Sequence, residues 1–219
     1  MKINIAIDGP SGAGKSSVSD VLAAKLGYVH LDTGAMYRSV AYVAIKNGLK
    51  LDEEDKIVDL INNNFNLDMK SDGTILCNGE DISLAIRSNE MSLAASDVSK
   101  LLGVRKALVS LQKKIAENKG YIVDGRDICE VVLPEAEVKI FLTASAEDRA
   151  NRRVLQNKQK GIESDYNQIL EDIKKRDYQD SHRENSPLRQ AVDATLIDSS
   201  NMNKEEVVNK IIDLVKQKI

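Results

Sequence analysis

The sequence predicts an α/β fold of three layers: a parallel five-stranded sheet, helices on both faces, a small antiparallel insert and a lid. Three observations carry that expectation. Five short apolar runs alternate with helix-compatible stretches, and runs that are apolar throughout mark strands with neither face in water. The alternation breaks between Leu49 and Ser99, and a polar stretch from Lys158 to Tyr166, carrying Gly161, separates two helical patterns.

The strand candidates are Ile3–Ile7, Tyr28–Leu31, Tyr121–Val123, Val138–Leu142 and Thr195–Ile197, and the helix candidates are Lys15–Leu26, Ala35–Asn47, Leu101–Asn118, Ala146–Gln159, Asn167–His182 and Lys204–Lys218. Several of the helices open with Ser, Thr or Asp in the capping position. Within the break, an Asp-Gly and an Asn-Gly pair join short strand-like pieces, the signature of tight antiparallel hairpins. The expected division is therefore a core of 1–48 and 100–219, with a lid near 153–168, and an insert over 49–99. The acidic run Asp52-Glu53-Glu54-Asp55 fits the first turn of a helix, where the dipole favours anions.

With 219 residues, 42% of them apolar and 30% charged, the chain can bury a core of its own. Its 31 Lys and Arg against 34 Asp and Glu leave a net charge of -3, unlike the basic footprint of a duplex-binding domain. Aromatic content of 4% without Trp offers few rings for stacking on single strands. The two cysteines, Cys77 and Cys129, form no disulfide framework and fit a reducing compartment. No stretch has the length and apolarity of a membrane span or a signal h-region.

The first strand runs into Gly9-Pro10-Ser11-Gly12-Ala13-Gly14-Lys15-Ser16-Ser17, which fits G-x-x-x-x-G-K-[ST] between a strand and a helix. Successive N–H groups of such a phosphate loop (P-loop) cradle an anion, the helix N-terminus adds partial positive charge, Lys15 reaches the β- and γ-phosphates, and Ser16 offers its hydroxyl to Mg²⁺. A guanine reader of the N-K-x-D type is not matched, because Asn157-Lys158-Gln159-Lys160 ends in Lys. Phosphoryl transfer to a second small substrate calls instead for cations where charge gathers between two phosphates. Four sets of arginines qualify. Arg38 follows Asp32-Thr33-Gly34-Ala35-Met36-Tyr37 after the second strand, and Arg126 follows Asp124-Gly125 at the end of the third, where an open sheet forms its ligand crevice. Arg149, Arg152 and Arg153 share one helical face. Arg176, Asp180 and Arg183 also share a face, with Asp180 and Arg183 each within about 40° of Arg176 at 100° per residue.

With these residues in view, the chain resembles the bacterial cytidylate kinases among the nucleoside monophosphate kinases, over essentially its full length. The likeness rests on I-D-G-P-S-G-A-G-K-S, L-D-T-G-A-M-Y-R (Leu31 to Arg38), D-G-R-D (Asp124 to Asp127), V-K-I-F-L-T-A-S (Val138 to Ser145), R-x-x-R-R (Arg149 to Arg153) and R-D-x-x-D-x-x-R (Arg176 to Arg183). The resemblance implies transfer of the γ-phosphoryl of ATP, with Mg²⁺, to CMP or dCMP, and makes the 49–99 insert an extra CMP-binding subdomain. It implies that Arg38 and Arg126 hold the acceptor phosphate, that Ser96, Arg105 and Asp127 read the cytosine edge, and that Arg176 and Asp180 reach the sugar with Arg183 nearby. Tyr37 and Thr33 would line the acceptor pocket, Asp124 belongs to the same substrate set, and Arg149, Arg152 and Arg153 form the root of a lid over ATP. A cytoplasmic monomer with small-molecule substrates, and no nucleic-acid or membrane partner, is expected. The alternatives are a kinase for another monophosphate, such as UMP, AMP or dTMP, and a non-catalytic ATP-dependent switch.

One departure stands out, since Cys129-Glu130 occupies the place of the family's usual Gly-Thr. Either a required positive φ would strain Cys129 and Glu130 would bring negative charge toward phosphates, or the turn lies past the site and tolerates side chains. Of the two histidines, His30 is expected as a packed polar core residue, and His182 points away from the Arg176–Asp180–Arg183 face. Cys77 is expected as a small buried apolar side chain.

Overall fold

The structure is a computed structural model that describes residues 2–70, 72–159 and 161–219. Lys160, inside the expected lid, therefore lies outside the described residues, as does Ser71 beside the Asp-Gly turn. The chain divides into two compact units, one formed by the chain up to His30 together with Lys119–Ile219, the other by Leu31–Asn118. Among the described residues no helix is long and apolar enough to cross a membrane.

The first unit is built on a five-stranded parallel sheet. In chain order its strands are β1 (Ile5–Asp8), β2 (Val29–Asp32), which leads into the second unit, β6 (Tyr121–Gly125), β7 (Val138–Thr143) and β8 (Thr195–Asp198), arranged β2-β6-β1-β7-β8. Parallel β1 sits at the centre, with Ile5 opposite Ile122 on one side and Val138 on the other. A central strand in such a sheet has to be apolar on both faces, and Ile5, Ala6 and Ile7 are all fully buried. Ile5 and Ile7 join Ile122, Ile140, Leu142 and Ile197 in one cluster with Val18 and Leu22 of α1 (Lys15–Leu26) and Val207, Val208, Ile211 and Val215 of α8 (Lys204–Lys216). Buried apolar residues at positions 207, 208, 211 and 215 are the face of a helix laid on a sheet. The start of α8 is a complete capping box between Asn203 and Glu206. Helices α6 (Ala146–Gln159) and α7 (Tyr166–His182) complete this unit, and Asp165 caps α7 by accepting from Gln168 N.

The second unit holds α2 (Thr33–Lys46), α3 (Glu54–Asn64), a three-stranded antiparallel sheet of β3 (Leu67–Met69), β4 (Ile75–Cys77) and β5 (Glu80–Asp81), then α4 (Asn89–Val98) and α5 (Leu102–Ala116). The Asn-Gly pair makes the two-residue hairpin its chemistry suggests, with Asn78 at φ 51° and Gly79 at φ 83°. Within 49–99, however, antiparallel strands are the minor part. Ile57, Leu60 and Ile61 are buried at helical spacing along α3, and α4 adds a second helix that the turn signals had masked. The unit extends on both sides of 49–99 because α2 packs on α4 and α3 on α5. Ala35, Val43, Leu60, Ile75, Cys77, Ile82 and Ile86 form its core, so Cys77 is the small buried apolar residue expected of it.

Close packing sets the phosphate loop where β1 meets α1. Gly9 has φ 149°, and a Cβ there would stand 1.9 Å from the carbonyl oxygen of Leu142 on β7. A backbone oxygen in the middle of a strand cannot move aside. The Gly9→Ala variant is expected to lose about 3 kcal/mol or more of stability, or to fail to fold, from overpacking and a strained dihedral together. Urea denaturation measures it, and a loss below about 0.5 kcal/mol would refute the close approach.

Candidate active site

The loop from Gly9 to Ser17 ends at the N-terminus of α1, with Gly14 as its N-cap residue at φ 94°. Lys15 is 6% exposed and turns back over the loop, donating to the carbonyls of Gly9 at 2.7 Å and Pro10 at 2.8 Å. Burial disfavours its charged form, the Arg126 cation adds repulsion, and Asp124, Asp8 and Asp180 only partly compensate. Its amine is thereby pushed down to about 7. Ser16 Oγ donates to Asp124 Oδ2 at 3.1 Å.

Asp124, Arg126 and Asp127 sit where β6 ends. The turn after them is held by Asp8, whose two carboxylate oxygens accept from the backbone N–H groups of Ile128 and Cys129, each at 2.8 Å. Burial pushes the Asp8 carboxyl up, although both of these hydrogen bonds oppose the shift. Ile128–Val132 forms one π-helical turn in which Cys129 is buried and has no positive φ. Its Sγ lies 3.7 Å from the carbonyls of Ala6 and Ile140, and burial beside Asp8 raises the thiol far above its ordinary range, so it is inert. Glu130 is exposed and pairs with Arg189 at 2.9 Å. Of the two readings of Cys129-Glu130, the tolerant turn is the one the backbone adopts.

Arg126 Nε donates to Asp180 Oδ2 at 2.8 Å. Burial works against both charges. The Arg126 cation nevertheless holds the Asp180 carboxyl below the usual range, with Arg176 and Arg183 contributing in the same direction, and Asp180 holds Arg126 charged. Arg176 and Asp180 share the face of α7 as expected. Arg183 adds its charge to the surroundings of the same carboxylate by another route, because α7 ends at His182 and Arg183 is already extended, with φ -67° and ψ 145°. Its Nε donates to Ser186 O, so helical phase does not place it. His182 stacks on Tyr178, four residues back on α7.

The helical face of Arg149, Arg152 and Arg153 exists on α6, but Arg149 and Arg152 are turned to partners within the protein itself. Arg149 forms a two-pronged pair with Asp177 (3.0 and 2.5 Å) and donates to the carbonyls of Ser11 and Ala144. Arg152 donates to Ser199 O at 2.6 Å. Arg149 thus braces the phosphate loop from α6 while being held by α7, and its stem lies against Gly12, where a Cβ would stand 3.4 Å away.

In the second unit, Asp32 both caps α2, accepting from Ala35 N at 2.9 Å, and pairs with Arg38 Nη2 at 3.0 Å. Arg38 Nε is buried and, among the described residues, has no hydrogen-bond partner. Thr33 is buried at the start of the same helix, with Tyr37 one turn on. The Arg105 guanidinium lies 5.9 Å over the Tyr37 ring and donates to Ser99 O at 3.3 Å. Ser96 is half-buried on α4, its carbonyl accepting from Ser99 Oγ.

Three residues outside the predicted site set have partners here: Asp8, Asp177 and His30. An acid closing an apolar strand and an acid beside Arg176 were visible signals for the first two. His30 lies between two carboxylates, with Nε2 2.5 Å from Asp124 Oδ1 and Nδ1 2.7 Å from Asp20 Oδ1. It is a polar residue within the fold, as expected, and its partners lie 10 and 94 positions away. Among the described residues no group of three or more His, Cys, Asp or Glu is placed to hold a metal ion.

Removing Asp180 would strand a buried Arg126, so Asp180→Ala is expected to cost about 3 to 5 kcal/mol. The folded Asp180 carboxyl lies below the ordinary 3.8, so the unfolded chain protonates first as acid is added. The pair's contribution is complete above the unfolded value and vanishes as pH falls through the lower folded one. Urea denaturation of both proteins at pH 7 and across the acid range should show the gap closing only in acid; a gap that closes above neutrality would contradict the pairing.

Residues 5–217 match the family model described as Cytidylate kinase. A cytidylate kinase of Caldicellulosiruptor bescii is 52% identical over 215 residues, 97% of this chain and 95% of that one. A cytidylate kinase of Enterococcus faecalis is 47% identical over 219 residues, 99% and 97% of the two chains. Among solved structures, a shikimate kinase from Acinetobacter baumannii aligns with a TM-score of 0.50 at 18% identity, over 99% of this chain and 94% of that one, a likeness of fold alone. Matched almost end to end by that family model and about half identical to such relatives, the chain belongs to the cytidylate kinase family.

Proposed function

We propose that the protein transfers the γ-phosphoryl group of ATP to CMP or dCMP, giving ADP and CDP or dCDP. Membership of the family over the whole length carries the reading, and the buried cations beside the phosphate loop supply its chemistry. An acceptor phosphate oxygen bonds to the γ-phosphorus as the bond to the β-phosphate oxygen breaks, and the electron pair leaves with ADP. Little covalent work falls to the protein, so positioning and charge stabilisation dominate. In this reading Gly9–Ser17 cradle the donor phosphates and Lys15 follows the transferring group. Arg126 and Arg38 hold the acceptor phosphate, Thr33 and Tyr37 line the acceptor pocket, Ser96, Arg105 and Asp127 read the cytosine, and Arg176, Asp180 and Arg183 serve the sugar. Arg149 positions the loop, while Arg152 and Arg153 root a lid near 153–168. The 49–99 stretch acts as the CMP-binding subdomain.

Mg²⁺ belongs to the same proposal. Ser16 Oγ, with the Asp124 carboxylate at 3.1 Å, is the hard-oxygen donor set that suits an ion bound by few protein ligands, with water and phosphate completing its shell. When bound, the ion neutralises charge on the transferring phosphates. A monomeric, cytoplasmic enzyme completes the reading, consistent with two free, buried cysteines.

A coupled ADP-release assay with ATP and Mg²⁺ tests the function against CMP, dCMP, UMP, AMP, GMP and dTMP. CMP and dCMP should stimulate release, and UMP should fall at least about tenfold lower in kcat/KM, since uracil presents a carbonyl where cytosine presents an amine to Asp127. Equal use of UMP and CMP would refute the base assignment, and ATP binding without acceptor-stimulated release would favour a switch. Lys15→Met should keep the fold and lose about a hundredfold or more in turnover; near-normal turnover would remove the loop from the mechanism.

A further inference from the structure

A closed circuit of hydrogen bonds lies beneath the phosphate loop in the first unit. Ser16 and Asp20 stand four residues apart on α1, so they face the same way. Ser16 Oγ donates to Asp124 Oδ2 at 3.1 Å, Asp124 Oδ1 lies 2.5 Å from His30 Nε2, and His30 Nδ1 lies 2.7 Å from Asp20 Oδ1, back on the same helix. The circuit joins α1, β2 and β6. Its inner members are dry, with the side chains of His30 and Asp124 13% and 3% exposed, whereas Asp20 is 70% exposed.

We propose that His30 is a positioning residue for phosphoryl transfer: it fixes the Asp124 carboxylate so that Oδ2 is directed at the Ser16 hydroxyl, and Asp20 in turn fixes the imidazole ring. A carboxylate torsion is broad and roughly two-fold. Without His30, Oδ1 loses its packed partner and the carboxylate gains freedom to rock away from the Ser16 hydroxyl. Occupying Oδ1 with a packed imidazole removes that freedom. Groups that hydrogen-bond an ion's ligands orient them, and loss of such a group commonly costs tenfold to a hundredfold in ion affinity or activity. His30 touches neither nucleotide nor reacting atoms in this role. The proposal rests on the phosphoryl-transfer reading for its consequence in turnover, but not for its consequence in ion-dependent nucleotide binding.

The test compares the full chain with His30→Leu, which removes both ring contacts, and His30→Gln, whose side-chain amide keeps a donor near the position of Nε2. Three quantities are read: kcat and KM for ATP and CMP across Mg²⁺ concentration, affinity for ATP by calorimetry with Mn²⁺ and again with EDTA, and melting temperature. His30→Leu should bind ATP in the presence of Mn²⁺ about tenfold more weakly, bind ATP in EDTA within about twofold of wild type, and need about tenfold more Mg²⁺ for half-maximal rate, with KM for CMP within about twofold. His30→Gln should recover most of each loss. A purely structural histidine would lower the melting temperature and leave the Mn²⁺-dependent affinity unchanged, and that result overturns the proposal. Should His30→Leu fail to fold, Asp20→Asn, altering only the exposed outer carboxylate, should shift the same ion-dependent affinity by about threefold; no shift there overturns the proposal as well. A wild type that binds ATP with Mn²⁺ but phosphorylates no monophosphate would defeat the enzymatic reading alone, whereas an active wild type matched by His30→Leu in every ion-dependent quantity would defeat the His30 role alone.

Discussion

Arg126 and Asp180 share one buried hydrogen-bonded contact at the carboxyl end of the parallel sheet, and much of the first unit follows from the need to keep those two charges out of water. Alone, Asp180 would be driven toward its neutral form and Arg126, which stays charged, would be an uncompensated buried cation, because desolvation of a single charge far exceeds any one hydrogen bond. The surrounding groups divide by sign. Arg176 and Arg183 favour the ionised Asp180, while Asp124 and Asp8 favour the charged Arg126. Lys15 is the member whose charge is not fully balanced, since burial and Arg126 outweigh the acids around it. A crevice in this condition has a place for additional negative charge, and a phosphate supplies it. Electrostatic stabilisation of this kind requires no rearrangement at the moment of reaction.

Such a set of charges is useful only if its geometry is stiff. Asp8 gives both oxygens to two adjacent backbone amides after Asp127, and Gly9 then lets the loop pass against the β7 carbonyl of Leu142. Arg149 ties the loop at Ser11 to Asp177 on α7. The fastening of the loop thus comes from β1, α6 and α7, all elements of the first unit.

What could be read from the chain followed from local chemistry. Apolar runs marked all five parallel strands because both faces of such strands are dry, and the glycines with Lys15 marked the loop. The Asn78-Gly79 hairpin was legible for the same local reason. The acidic run at 52–55 marked the start of α3, whereas α4 was not legible, because hairpin signals at residues 72–73 and 78–79 dominated the stretch before it. Arg183 was assigned to the correct cluster for a reason that fails, since the helix stops one residue earlier. Arg149 and Arg152 look like open cations in the sequence, but their partners Ser11, Asp177 and Ser199 lie 28 to 138 positions away along the chain. The pairing of His30 with Asp124 is of the same kind, set by strand order, and strand order was not available from the sequence.

In the proposed reaction the crevice withholds charge from Lys15 until phosphates arrive. An amine pushed down to about 7 in the ligand-free protein is mostly neutral at pH 8, and bound anionic phosphates favour its charged form. The most direct measurement is calorimetry of binding of ATP, pre-equilibrated with Mg²⁺, in buffers of different ionisation enthalpy. At pH 8 the protein should take up between about half and one proton on binding, falling toward none at pH 6, where Lys15 is already charged, and Lys15→Met should show no such uptake at either pH. Equal proton exchange by wild type and Lys15→Met at pH 8, or net release by the wild type relative to the variant, would contradict the account.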